Sequence, residues 1–247
     1  MRYFIDISYE GTAYHGWQIQ TTGNTVQEEI EKALSTILKE EVAIMGSGRT
    51  DTGVHATQQI AHFDTITELV PNDLVYKLNS FLPKDIAIRS IKAVENNTHA
   101  RFDAVKRTYH YHIHRHKNPF KRGVSYYFKH DIDRNAILEG CEIIRNWENF
   151  ECFSKVHTEV NNFNCQIFKI DWLQNEDDDL FVVTANRFLR GMVRAMVGTL
   201  LDLGTRKTNI ENFKGVLESN DRSRAGRAVP PQGLFLERIE YPANIYS

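Results

Sequence analysis

Two hydrophobic periods alternate along this chain in the same order twice, and that order constrains its fold more than any other feature. Stretches that alternate apolar and polar residues read as strands, and stretches with apolar residues every three or four positions read as helices. The first half predicts a strand over about 2–9, a helix over 25–39, strands over 41–46 and 57–64, a helix over 71–80 and a strand over 85–94. Thr25, with Glu28 three residues on, forms a capping box at the start of the first helix. The second half predicts a strand over 107–116, a helix over 133–146, strands over 163–173 and 180–187, helices over 188–203 and 209–219, and a strand over 233–240. Each half therefore reads β-α-β-β-α-β, the split βαβ arrangement, the second with one additional helix before its last strand. The expected class is α+β, a pseudo-duplicated protein with mainly antiparallel sheets on helices and a boundary near residues 95–106.

Several function classes fall at once. No apolar run approaches the ~18 residues of a membrane span, and the opening "MRYFIDISYEG" alternates like a strand, unlike a signal peptide. The three cysteines, Cys141, Cys152 and Cys165, are odd in number and lack a CxxC pair, so they read as free or buried thiols of a reducing compartment. A cytoplasmic protein without a membrane partner is expected. The net charge of −2 hides an uneven distribution. Residues 101–129 hold eight Lys/Arg against one acid, and 186–227 hold nine against four. Both blocks fit a positive surface on a near-neutral protein, and the first also carries tyrosines, the composition a polynucleotide surface needs.

The stretch "GSGRTDTGVHA" (46–56) concentrates three glycines, Arg49, Asp51 and His55 in eleven residues. Gly48-x4-Gly53 begins like a phosphate-binding loop, but Val54-His55 stand where Lys-Ser/Thr is required. Nor does Gly46-x-Gly48 lead to the third glycine of a dinucleotide fingerprint. Asp51-Thr52-Gly53 is the tripeptide of aspartic proteases, whose paired carboxylates share a proton. No second copy occurs, and Arg49 favours an ionised aspartate, the wrong direction for such a pair. What remains is a single ionised aspartate acting as nucleophile or base, with glycines that let the backbone approach a substrate. Taken alone, GRTDTG reads first as a tight turn with an Asx hydrogen bond and a surface salt bridge.

Other segments decide between those readings. In "KRTYHYHIHRHK" (106–117) the odd positions carry Arg107, Tyr109, Tyr111, Ile113 and Arg115, and the even ones His110, His112, His114 and His116. No carboxylate or cysteine completes a metal sphere there, so the histidine row reads as a wet or nucleic-acid-facing strand face and no metal is expected. Arg107 and Tyr109 suit a flipped-out base, the ring stacking on it. In "NRFLRGMVRAMVGTLLDLG" (186–204) the apolar positions form a helical core stripe, while Arg187, Arg190 and Arg194 share another face suited to phosphates. "YEGTAYHGWQIQ" (9–20) and "AVPPQGLFL" (228–236) are, singly, unremarkable loops.

Together, "YEGTAYHGWQ", "GSGRTDTGVHA", "ARFDAVKRTYHY", "RFLRGMVRAMVG" and "VPPQGLFL", in this order over nearly the whole chain, resemble the TruA-type tRNA pseudouridine synthases. The resemblance implies isomerisation of uridine to pseudouridine in the anticodon arm of tRNA, at nucleotides 38 to 40. It also implies a homodimer with a basic cleft, no cofactor and no metal. The implied fold is two ferredoxin-like halves, residues 1–100 carrying the aspartate loop and 101–247 carrying the Arg-Thr-Tyr strand and the arginine-faced helix. By resemblance Asp51 is the catalytic aspartate, Arg49 orients it and holds the target nucleotide out, Tyr109 packs on the uracil, and Arg194 pairs with the aspartate. Arg107, His55 and Arg190 complete the expected substrate-binding set. Intact Asp51, Arg49, Tyr109 and Arg194 favour an enzyme over a binding protein that keeps only the cleft.

Overall fold

The computed structural model describes residues 1–155 and 161–246. It is a mixed α/β fold with mostly antiparallel strand pairing and five α-helices among the described residues. The chain forms two compact units, Met1–Lys106 with Phe235–Ser247, and Arg107–Leu234.

The first unit contains β1 (Arg2–Tyr9), α1 (Val26–Leu38), β2 (Ile44–Gly46), β3 (His55–Asp64), α2 (Pro71–Phe81) and β4 (Ile86–Val94). Strand β1 lies between β3 and β4, antiparallel to both, and β2 pairs with β3 through Gly46↔Ala61. On β1 every second side chain, Tyr3, Ile5, Ile7 and Tyr9, is buried, together with Val26, Ile30, Ala33 and Leu34 of α1 and Leu74 and Leu78 of α2. The capping box forms in part: the Thr25 hydroxyl accepts the Glu28 N–H at 3.3 Å. Pro71 occupies the first turn of α2, where its missing N–H costs no helical bond.

The second unit contains β5 (Lys106–His114), β6 (Tyr126–Tyr127), α3 (Arg134–Arg145), β7 (Ile167–Gln174), β8 (Asp178–Ala185), α4 (Met192–Gly204) and α5 (Ile210–Glu218). β8 runs antiparallel to β5 and β7, and β6 adds a two-residue parallel pairing to β5 that no periodicity announces. Helix α4 is buried on nearly every side, Arg194 and Asp202 being its two less buried positions, so its apolar pattern is wider than one stripe. Glycines let α3 approach it: a Cβ on Gly140 would lie 2.8 Å from Leu200, and one on Gly204 2.6 Å from Ile137. The last strand, β9 (Leu234–Glu240), returns to the first unit and pairs in parallel with β3 through His55↔Phe235 and Ala56↔Leu236.

Two expectations need correction. The helix anticipated from 188 begins at Met192, because Gly191 takes the left-handed conformation (φ 74°) and interrupts the turn before it. Arg187 and Arg190 therefore precede the helix, and Arg194 alone of the three lies on it. The histidine row is not one wet face either: His114 is buried, stacks on Tyr127 and shares a 2.9 Å hydrogen bond with Ser125. Burial pushes its pKa below the usual imidazole value, with Lys121 adding to the effect.

All three cysteines are free and buried. Burial raises the Cys141 and Cys152 thiols to about 12 and Cys165 to about 11, which keeps them protonated and poor nucleophiles at neutral pH. Among the described residues no helix is long and apolar enough to cross a membrane.

Candidate active site

In the first unit, residues 47–54 leave β2 and enter β3, and the hydrogen bonds of that short antiparallel pair fix where the loop starts and ends. The Ser47 N–H donates to the Ile60 carbonyl at 2.8 Å and its hydroxyl donates to Gln59 Oε1 at 2.7 Å. Gln59 returns a bond from Nε2 to the Gly48 carbonyl at 2.9 Å. Beyond the aspartate, the Val54 N–H donates back to the Asp51 carbonyl at 3.1 Å, closing a turn whose third residue, Gly53, has φ 75°. That positive φ is why glycine stands there. The Asx-turn geometry allowed by the sequence is thus a backbone turn that starts at Asp51.

A second loop, residues 10–24, lies directly against the first. The Trp17 N–H donates to the Thr50 carbonyl at 3.2 Å, the Gly53 N–H to the Tyr14 carbonyl at 3.3 Å, and the Gly11 N–H to His55 Nδ1 at 3.0 Å. The Tyr9 and Thr50 hydroxyls share a buried 2.8 Å bond. The backbones are so close that a Cβ on Gly11 would lie 2.0 Å from the Val54 carbonyl oxygen, and one on Gly16 2.5 Å from that of Thr50. Tyr14 is anchored by its hydroxyl, which donates to Asp85 Oδ1 at 2.7 Å. Burial first and then Asp85 raise the Tyr14 pKa, so it stays a neutral donor. The residues on either side of Asp51 are therefore held from behind, Thr50 and His55 both being buried.

Within that frame Asp51 is half-buried and Arg49 is exposed. Arg49 makes no hydrogen bond or ion pair among the described residues, so its guanidinium is not the group that fixes the carboxylate within its own loop. His55 is 0% exposed and stacks on Phe235, with ring centroids 4.4 Å apart. Because its Nδ1 accepts the Gly11 N–H, the ring carries its proton on Nε2, and this bond joins the two loops. Direct contact with a substrate, expected for His55 from the sequence, does not suit a ring so enclosed.

In the second unit the basic and aromatic candidates lie on β5, on α4 and on the segment before it. Tyr109 is half-exposed and meets the edge of Phe188 at 5.1 Å, whereas Tyr111, two residues on, is a core residue whose hydroxyl donates to the Pro230 carbonyl. The alternation puts both tyrosines on one strand face, and the sequence reading takes Tyr109 as the stacking ring; of the two, Tyr109 keeps exposed ring surface. Arg107 donates from Nη1 to the Asn186 carbonyl at 2.8 Å. Arg194 donates from Nε to the Val229 carbonyl at 2.7 Å, and its own carbonyl accepts the Val229 N–H at 3.1 Å. The first bond ties the guanidinium to the 229 segment, and the second ties the two backbones. Arg190 is exposed on the turn ahead of α4, and its carbonyl accepts the Lys155 N–H at 2.9 Å. Among the described residues no three His, Cys, Asp or Glu side chains converge as a metal site.

Two supports, the loop 10–24 and the segment 228–231, read in the sequence only as unremarkable loops when taken singly, and no supporting role is assigned to them there. Their signal is the glycines and prolines themselves: Gly11, Gly16 and Gly198 each meet a backbone carbonyl, Gly198 that of Arg227, where a side chain would not fit.

This frame has close relatives. The family model described as tRNA pseudouridine synthase matches residues 6–103 and 148–242. The chain is 45% identical over 248 residues to the tRNA pseudouridine synthase A of Parabacteroides distasonis, covering 99% of this chain and 98% of the relative. It is 44% identical over 249 residues to that of Bacteroides thetaiotaomicron (100% and 93% covered) and 38% identical over 245 residues to that of Bacillus subtilis (98% and 99%). The chain belongs to the tRNA pseudouridine synthase family.

Proposed function

We propose that this protein isomerises uridine to pseudouridine in the anticodon arm of tRNA, at one or more of nucleotides 38 to 40, with Asp51 as its catalytic group. The observation that carries the reading is the doubly supported 47–54 loop, which presents one half-buried carboxylate from a backbone fixed on both sides. A carboxylate held in this way is preorganised for attack or proton abstraction on a bound nucleotide. The relatives' shared name supplies the substrate class.

In this reading the bond from C1′ to N1 breaks, the uracil turns, C1′ bonds to C5, and C5 gives up its proton while N1 gains one. Nothing is added or lost overall, so the site has no need of a water, a second carboxylate, a metal or an organic cofactor. Arg49 meets the RNA from its exposed position and keeps the nucleotide out of its helix. Tyr109 stacks on the uracil, offsetting part of the few kcal/mol that extrusion costs. Arg194 serves as the cationic partner of the carboxylate, and Arg107 and Arg190 contact phosphates. His55 acts through the loops it joins. The protein works as a cytoplasmic homodimer, and its two halves descend from one ferredoxin-like unit.

The test is to incubate an unmodified tRNA transcript with wild type and Asp51→Asn, then map pseudouridine by carbodiimide-blocked primer extension. Wild type is expected to create a stop in the anticodon arm and Asp51→Asn none, with tRNA binding retained. A stop from the variant, or one elsewhere in the tRNA, contradicts the assignment.

A further inference from the structure

One surface feature of the first unit belongs to none of the roles above. Phe102 is 74% exposed, yet the turn that carries it is firmly held. Its ring rests on His99 with centroids 4.3 Å apart, and His99 in turn meets His62, a buried residue, edge-on at 4.6 Å. Three rings thus run from the core to solvent. The turn that carries them is tied down at each step. The Ala100 N–H donates to His62 Nδ1 at 3.1 Å, and the Arg101 and Phe102 N–H groups donate to His99 Nδ1 at 3.0 and 3.3 Å. Asp103 Oδ2 accepts the His99 N–H at 2.7 Å, and the Ala100 carbonyl accepts the Tyr241 hydroxyl at 2.6 Å. Arg101 places its guanidinium carbon over the Phe102 ring, 5.7 Å from its centroid.

Single exposed apolar residues are ordinary and need no explanation. A ring that rests on a histidine, on a backbone tied by this many bonds and with a cation over it, is different. The backbone of the turn is already ordered in the free protein, which lowers the cost of meeting a planar partner. The ring favours a flat partner, and the cation favours one that carries negative charge. We infer that Phe102 is a stacking platform for an unpaired nucleobase of the RNA substrate, distinct from the target uridine, with Arg101 on the adjoining phosphate. The inference rests on the tRNA reading for the identity of that RNA.

Dissociation constants for an unmodified tRNA transcript, at one fixed salt concentration, test it on Phe102→Ala, Phe102→Leu and Phe102→Trp. Loss of one stacked base is expected to weaken binding by roughly 5- to 150-fold in Phe102→Ala. Phe102→Leu keeps apolar area without a π face and stays weak, whereas Phe102→Trp binds like wild type. Unchanged affinity in Phe102→Ala, or full recovery in Phe102→Leu, overturns the inference. So does a Phe102→Ala protein whose sedimentation shows a changed oligomeric state at unchanged tRNA affinity, since the ring then faces a second copy of the chain. Pseudouridine formation by wild type on the same transcript is scored separately. If wild type modifies the transcript and Phe102→Ala binds normally, the platform alone fails; if wild type modifies nothing, the catalytic reading fails and the platform is still judged by affinity.

Discussion

His62 shows how a single residue sets a condition on the whole first unit. Its Nδ1 accepts a backbone N–H, so the fold requires the neutral ring. Burial, and after it Arg2 and His99, lower its pKa from 6.5 to about 4, against the smaller opposing pull of Asp64 and Asp103. A depressed imidazole pKa means that the unfolded chain binds the proton first. The stability His62 contributes is therefore complete above pH 6.5 and is lost as pH falls toward about 4, a difference of at most about 3 kcal/mol. Urea unfolding should weaken between pH 6.5 and 4.5 in wild type, and less steeply in His62→Gln. Equal slopes would show that the ring is not held neutral by the fold. At this scale the sequence was readable where chemistry is carried by residue type, as in Arg49-Thr50-Asp51. It was silent on environment: nothing in "KRTYHYHIHRHK" says that Tyr111 and His114 are buried while Tyr109 keeps an open ring face.

Between elements, the two apposed loops of the first unit carry the account, and their glycines are the sensitive points. Gly11→Ala puts a methyl 2.0 Å from the Val54 carbonyl oxygen, a backbone atom that cannot rotate away. Overpacking of this kind costs about 1–3 kcal/mol, spent on shifting the segment that follows Asp51. We predict a fall in kcat of tenfold or more, with KM for tRNA and the far-ultraviolet circular dichroism near wild type; an unchanged kcat would mean that the 10–24 loop does not position the aspartate. Elements with local signals were legible in advance: β1 matches its expected span, and α1 starts after the Thr25 cap. Signals that depend on distant partners were not. The start of α4 turns on the left-handed Gly191, β6 exists only because β5 offers it an edge, and the joining of 10–24 to 47–54 needs contacts 33 and 39 residues apart, Trp17 to Thr50 and Tyr14 to Gly53.

For the whole molecule, net charge conceals the property that matters for RNA. Two basic blocks, 101–129 and 186–227, sit in a chain of net charge −2, and Arg101 and Arg190 in them are exposed. If they bind tRNA phosphates, each contact releases counterions, and three to five contacts weaken binding by roughly 40- to 500-fold between 50 and 200 mM salt. A flat salt dependence would remove the blocks from the interface. The central claim is narrower: that Asp51 drives formation of a carbon–carbon glycosidic bond. The direct measurement is tritium release from an unmodified tRNA transcript labelled at uracil C5, for wild type and Asp51→Ala side by side. The account predicts release by wild type and none by the variant, because C5 gives up its hydrogen only when C1′ bonds to it. Release by both proteins, or by neither while tRNA is bound, would contradict it.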